Sequence, residues 1–368
     1  MSTPVPDRAF DPVAEQASRK DEHVALAVGL QPAERPNGFD DVAFMHHALP
    51  GTSVRQVDTS TMVCGVRWQL PIYINAMTGG TEATGRLNAD LARAAAGAGM
   101  AIACGSQHIA LRESARADSF SIIRREAPDA FVLANVGPTV SPEAAQRAVD
   151  MVEANALQIH LNVAQELVMP EGDRDFTDWA ERIAAITAAV QVPVIVKEVG
   201  FGLSRRTIAA LAAVGVAAAD VAGAGGTDFI TIENSRRDAQ EYSYLTGWGQ
   251  SAVLCLLEAL DGPAPVQLPL LASGGVRTPL DALRALALGA QAVGVSGHFL
   301  RTLVARGASA LEAELGAWAE QLRTLMTLVG ADDVASLRRT DLLVTGATAE
   351  RARLLGVDLA ALARRSTR

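Results

Sequence analysis

The sequence predicts a (β/α)8 barrel, on three observations. Short apolar runs recur eight times, each is followed by an Ala/Leu-rich amphipathic stretch, and each ends in glycine, small polar or charged residues. The runs are Leu70–Ala76, Met100–Gly105, Phe131–Val136, Ala156–Asn162, Pro193–Val199, Gly215–Ala222, Pro269–Ser273 and Gln291–Ser296. Continuous apolar runs without period-two alternation suit parallel strands buried on both faces. The stretches between them carry helix starts. Ser141-Pro142-Glu143 offers a cap, a proline at the first helical position and an acid in the first turn. Thr278-Pro279-Leu280-Asp281 repeats that pattern. Eight β–α units in succession indicate a closed TIM barrel over an open doubly wound sheet, which usually has about five or six strands.

At 368 residues, with 49% hydrophobic and 20% charged, the chain can build one large core. Residues 1–18 are polar and Pro-rich and read as a mobile tail. Residues 19–368 read as one domain. Within it, residues 19–69 form an N-terminal extension that covers the barrel or contributes to its mouth. Residues 222–247, after strand 6, form a loop too long for an ordinary βα connection and read as a lid or an interface. From about residue 300 onward Ala/Leu/Arg helices follow, the eighth barrel helix among them.

A net charge of −9 argues against nucleic acid or an anionic membrane as partner, so any anionic ligand must meet locally concentrated cations. Cys64, Cys104 and Cys255 are far apart and lack metal-ligand spacing, which suits reduced thiols of a cytoplasmic protein. The N-terminus has no apolar run of the signal-peptide kind, and no stretch is long and apolar enough to span a membrane.

Polar residues and glycines gather at the end of every run, which a purely structural barrel does not need. In this architecture chemistry sits at the C-terminal ends of the strands. Ser273-Gly274-Gly275-Val276-Arg277 and Ser296-Gly297-His298 follow strands 7 and 8, where barrels often hold a phosphate on glycine amides. One Gly-Gly pair is equally a tight turn; two such loops on the expected strands favour phosphate. Met77-Thr78-Gly79-Gly80 offers amides and a flat apolar side to a planar cofactor, and Ser106 and Asn135 add hydrogen-bonding groups. Lys197 ends a buried run and needs an anion, either a cofactor or another acid. Alternation sends Glu198 to the opposite face.

His160 and Asn162 share a face at the end of strand 4, with Gln165 and Glu166 just beyond. Glu166 suits a hard cation such as Mg²⁺, completed by substrate phosphates and waters. A hydrogen-bonded core histidine and a solvated loop acid are the ordinary alternatives, and the clustering of four polar residues favours function. Arg19 and His23, spaced i to i+4 with Lys20, form the compact basic feature near the N-terminus. They match a diphosphate, or equally a solvated helix start.

Taken in order, Arg19-Lys20…His23, Met77-Thr78-Gly79-Gly80, Gly105-Ser106-Gln107, His160-Leu161-Asn162…Gln165-Glu166, Pro170-Glu171-Gly172-Asp173-Arg174, Val196-Lys197-Glu198-Val199-Gly200, Gly223-Ala224-Gly225-Gly226-Thr227 and Ser273-Gly274-Gly275-Val276-Arg277 resemble the motif set of the type II isopentenyl diphosphate isomerases. The resemblance spans roughly residues 19–300. It implies FMN, Mg²⁺ and NADPH as reductant of the flavin. The reaction implied is a 1,3-proton shift that converts isopentenyl diphosphate to dimethylallyl diphosphate, with reduced FMN as acid and base. It also implies a homotetramer or homo-octamer. Carried onto this chain, it assigns Arg19, Lys20, His23, Ser106, Gln107, His108 and Gln165 to the substrate, and Gln165, His160 and Asn162 to catalysis. Glu166 falls to the metal. FMN falls to Ala76, Met77, Thr78, Gly79, Ser106, Asn135, Lys197, Thr227, Gly275, Val276, Arg277, Ser296 and Gly297.

Three departures concern the substrate more than the cofactor. His108 stands where the family usually has Arg, Asp228-Phe229 where Ser-Trp is common, and Gln250-Ser251-Ala252 where Ile-Pro-Thr is common. The alternatives are a diverged FMN barrel acting on another prenyl diphosphate, or an FMN oxidoreductase of the hydroxy-acid oxidase kind using His298 and Arg277. The second leaves the cluster at the end of strand 4 unexplained.

Overall fold

Eight parallel strands close into a barrel. They are β1 (Ile72–Ile74), β2 (Ala101–Ala103), β3 (Val132–Val136), β4 (Ala156–Leu161), β5 (Val194–Glu198), β6 (Ala218–Asp220), β7 (Leu270–Ser273) and β8 (Val293–Val295). Each lies within, or nearly within, an expected run, and β8 pairs with β1 to complete the ring. The computed structural model describes residues 25–26, 29, 37–260 and 267–367. The expected tail 1–18 and the basic trio Arg19, Lys20 and His23 lie outside the described residues.

The pleat sorts side chains into two layers inside the barrel. The lower layer is apolar and small, with Ala101, Ala103, Leu133, Ala156, Ile195, Ala218, Leu271 and Ala292 in one buried cluster. One step towards the C-terminal ends the residues turn polar: Asn75, Asn135, Gln158, Lys197, Asp220 and Ser273, all buried. The outward faces pack beneath the helices in the main core, as Ile72, Ile159, Val196 and Val293 do.

The N-terminal extension serves both ends of the barrel. A hairpin of Thr61–Val63 and Val66–Trp68 closes the lower end. Val63 and Trp68 join the lower apolar layer, and the Trp68 ring sits 5.0 Å from Phe131 and 5.6 Å from Tyr73. At the other end, Asn37 caps the short turn Gly38–Asp41 and donates from Nδ2 to the Gly275 carbonyl at 2.5 Å. Val42–Phe44 then pairs antiparallel with Leu342–Val344, close to the other end of the described chain.

The segment after β6 is not a structureless loop. It carries a helix, Phe229–Ser235, and a short 3-10 turn, Ser243–Leu245. Asp228, one of the departures noted above, caps that helix by accepting from the Thr231 N–H at 3.1 Å. Gly297–Arg306 opens immediately after β8, and Ala308–Leu328 packs outside the barrel as the eighth helix of the ring. The three cysteines are free thiols. Among the described residues no helix is long and apolar enough to cross a membrane.

Candidate active site

A cavity of about 680 Å³ opens at the C-terminal ends of the strands, a size typical of small-ligand sites. Its floor is the polar layer, held by one continuous hydrogen-bond network. The fully buried Asp220 accepts from Tyr73 Oη and Asn75 Nδ2 at 2.8 Å each, and from Ser273 Oγ at 2.9 Å. Gln158 donates to Asn75 at 3.2 Å and accepts from Asn135 at 3.2 Å. Asn135 in turn meets His160 Nδ1 at 3.0 Å. Strand register puts His160 beside Lys197 and Lys197 beside Asp220. Burial lowers the Lys197 ammonium below its ordinary value, against the opposing pull of Asp220 and Glu198. Its Nζ donates to the Glu198 carbonyl at 2.7 Å.

Glu198 faces the other way, as alternation requires. Its Oε2 accepts from the N–H groups of Val199 and Gly200 at 2.7 Å each and from that of Phe201, which fixes the turn after β5. Burial raises its carboxyl to about 7 despite those bonds.

One side of the cavity is built of bare backbone. Gly225, Gly226, Gly274, Gly275 and Gly297 line it together with Ser296 and Thr227. Gly274 and Gly275 have φ of 89° and 78°, which glycine adopts without strain. A Cβ on Gly275 would lie 2.7 Å from Asn37 Nδ2, so the loop packs directly onto the extension. Arg277 is held by Asp40 at 2.5 Å and Asp281 at 3.1 Å, and those acids raise its already high pKa further.

The opposite side carries the strand 4 cluster. Asn162 Nδ2 donates to Glu166 Oε1 at 2.7 Å, and the Asp173 N–H donates to Glu166 Oε2 at 2.8 Å. Arg174 reaches back to the Glu166 and Met169 carbonyls at 2.6 and 2.9 Å. The Pro170–Arg174 motif therefore fixes the Glu166 turn. Gln165 Nε2 donates to Glu233 Oε1 at 2.7 Å, and Glu233 Oε2 is held by Arg236 at 2.6 Å. His108 and His160 meet over Gly137, where a Cβ would touch both rings at 3.5 Å.

Most of the expected site residues converge here. Ala76, Met77, Thr78, Ser106, His108, Asn135, His160, Asn162, Gln165, Glu166, Lys197, Thr227, Gly275, Val276, Arg277, Ser296 and Gly297 all line the cavity. Two do not. Gln107 is fully buried and donates to the Ala148 carbonyl at 2.8 Å while accepting from the Asn135 N–H at 2.9 Å, so its side chain braces strands instead of reaching substrate. Gly79 lies behind the cavity wall, where a Cβ would collide with the Phe120 ring. Sequence reasoning missed Asn37, Asp220 and Glu233. Asp220 did leave a signal, an acid inside an otherwise apolar run.

The cavity fits a flavin mononucleotide. The glycine wall suits its phosphate, and Lys197 is a buried cation on the floor. Thr78 Oγ1 is buried with no hydrogen-bond partner among the described residues, an orphan that a ligand would satisfy. Glu166 is the one carboxylate lining the cavity among the described residues, and no group of three metal-ligating side chains occurs there. A divalent cation held at Glu166 therefore needs ligand oxygens brought by the substrate.

The family model for FMN-dependent dehydrogenase matches residues 111–344. Solved structures of the same fold include a flavocytochrome b2 variant with sulfite bound, 19% identical, with a TM-score of 0.63 over 89% of this chain and 86% of that one. A lactate oxidase of Pediococcus acidilactici is 16% identical, with a TM-score of 0.63 over 92% of this chain and 96% of its own. Fold and cavity thus define a flavoprotein barrel of the FMN-dependent class. Curated relatives make the assignment narrower. An isopentenyl-diphosphate delta-isomerase of Kitasatospora griseola is 56% identical over 352 residues, 95% of this chain and 96% of the relative. One from Streptomyces sp. strain CL190 is 53% identical over the same shares. The chain belongs to the type II isopentenyl-diphosphate delta-isomerase family.

Proposed function

We propose that this enzyme converts isopentenyl diphosphate to dimethylallyl diphosphate by adding a proton to the terminal alkene carbon and removing one from C2. The observation that carries this reading is the pairing of Gln165 with the buried Glu233, beside the Glu166 turn and across the cavity from the glycine wall. Bound reduced FMN supplies an electron-rich acid–base surface against the alkene. Glu166 would hold a Mg²⁺ ion whose remaining ligands come from the substrate oxygens, and the ion would offset the diphosphate charge there.

The chain's own residues do the rest. His108, His160 and Ser106 meet the diphosphate from one wall; Arg19, Lys20 and His23, outside the described residues, are assigned to the same diphosphate by the resemblance alone. Met77, Met169, Val199 and Phe229 line the cavity with apolar surface that keeps water from a developing carbocation. Gln165 holds its amide at the reacting carbons because Glu233 fixes Nε2 and Arg236 fixes Glu233. Lys197 and Thr78 would orient a flavin ring at the cavity floor, and Ser296, Gly297 and Gly275 would hold its phosphate. NADPH as reductant, a cytoplasmic location and a homotetramer or homo-octamer belong to the same reading.

A hydroxy-acid oxidase would need a histidine base and an arginine for a carboxylate. Here His298 is engaged by Glu314 at 2.5 Å and Arg277 by two acids. The test is anaerobic incubation of flavin-reduced enzyme with Mg²⁺ and isopentenyl diphosphate in D₂O. Deuterated dimethylallyl diphosphate, formed only with reduced flavin, is the expected product. Flavin loading without product would overturn the assignment of this substrate.

A further inference from the structure

We infer that Arg301 is the cation that recognises the phosphate of the bound flavin, and that it makes this site select FMN over unphosphorylated riboflavin; the inference rests on the FMN reading above. Arg301 lies on the helix Gly297–Arg306 and lines the glycine end of the cavity. A Cβ on Gly297 would stand 3.1 Å from Arg301 Nη1 and 3.3 Å from Thr227 Oγ1, so the guanidinium folds over the Gly297 backbone beside that hydroxyl.

Charge balance singles it out. Arg277 is the cation that the sequence offers for this end, but Asp40 and Asp281 already hold it, and Arg284 shares Asp281 at 2.9 Å. These two arginines and two carboxylates cancel. A phosphate monoester brings between one and two negative charges near neutral pH. Glycine amides supply hydrogen bonds but no net charge.

Arg301 is half-buried and makes no hydrogen bond or ion pair among the described residues, unlike the arginines around it. Glu314, on the following helix, turns one oxygen to His298 and makes no ion pair with Arg301. Burial alone shifts the Arg301 guanidinium, downwards, with no partner to offset it. A guanidinium in that condition gains from an anion with two coplanar oxygens, as phosphate presents.

The test is titration of flavin-free protein with FMN and, separately, riboflavin, followed by quenching of flavin fluorescence, for wild type, R301Q and R301K. R301Q should weaken FMN by roughly 10- to 100-fold, the worth of a charge-assisted hydrogen bond, and leave riboflavin unchanged. R301K should recover part of the loss, and the salt dependence of FMN affinity should flatten in R301Q. Unaltered FMN affinity in R301Q, or equal weakening of both flavins, overturns the role of Arg301. Wild-type protein that binds neither flavin overturns the FMN reading itself, which separates the two failures.

Discussion

Gln165 and Glu233, far apart in sequence, meet through a 2.7 Å hydrogen bond in which the amide Nε2 donates to a fully buried carboxylate. Arg236, at 2.6 Å from its other oxygen, keeps that buried acid charged. Glu233→Gln keeps the volume but removes the charge that fixes the amide. We expect kcat to fall by roughly 10²-fold, the usual worth of a positioned proton-handling group, with flavin content unchanged. Equal turnover in the variant would leave Glu233 a structural partner of Arg236.

Glu166 is the cavity's one described carboxylate. Glu166→Gln should abolish the response to Mg²⁺ and lower turnover by on the order of 10²-fold, since several kcal/mol of charge stabilisation is at stake. Titrating activity against Mg²⁺ checks this; an unchanged metal response removes Glu166 from the site.

Lys197 is buried among Asp220, His160 and the cavity floor. Lys197→Ala should reduce flavin affinity by roughly 10- to 100-fold, read from the visible absorbance of purified protein and from titration. A fully yellow variant would show that this lysine does not support the cofactor.

Asp220 accepts from Tyr73, Asn75 and Ser273, all three buried. Asp220→Ala strands those donors and removes one of the two acids that face Lys197, at a cost of about 3–5 kcal/mol in stability. Asp220→Asn keeps an acceptor oxygen and should lose less. Chemical denaturation of the three proteins checks the order.

Glu198 titrates at about 7 in the folded chain against an ordinary 4.5. The folded state therefore binds more protons than the unfolded state between these values, and stability falls as pH rises from about 4.5 to about 7. Glu198→Gln cannot titrate, so its stability relative to wild type should rise across that window. A difference independent of pH would mean that the carboxyl titrates normally.

The barrel was legible because its strands are buried on both faces and helix starts such as those at Ser141 and Thr278 carry capping chemistry. Lys197 was legible as a cavity residue because an ionic group at the end of an apolar run has few structural uses, and Glu166 because four polar residues cluster beyond strand 4. Asn37 was not, because its role depends on a carbonyl 238 positions away. Glu233 was hidden for the same reason, and because the segment that bears it read as loop. Gln107 misled in the other direction: a motif glutamine beside two cavity residues is turned inward by its bonds to Ala148 and Asn135. The pairing of Val42–Phe44 with Leu342–Val344 left no periodicity to detect, since strands of three residues are too short to show one.

That last pairing also ties distant parts of the chain to the cavity mouth. Asn37, which supports the Gly275 loop, sits just ahead of the strand that Leu342–Val344 holds, and Asp41 accepts from the Thr345 and Thr348 N–H groups at 2.9 and 3.0 Å. Segments far apart in the chain thus brace each other beside the loop that forms the glycine wall, Asp41 and Thr348 being 307 positions apart. A substitution that breaks the Asp41 contacts would therefore be felt at the Gly275 loop, far from either segment in sequence.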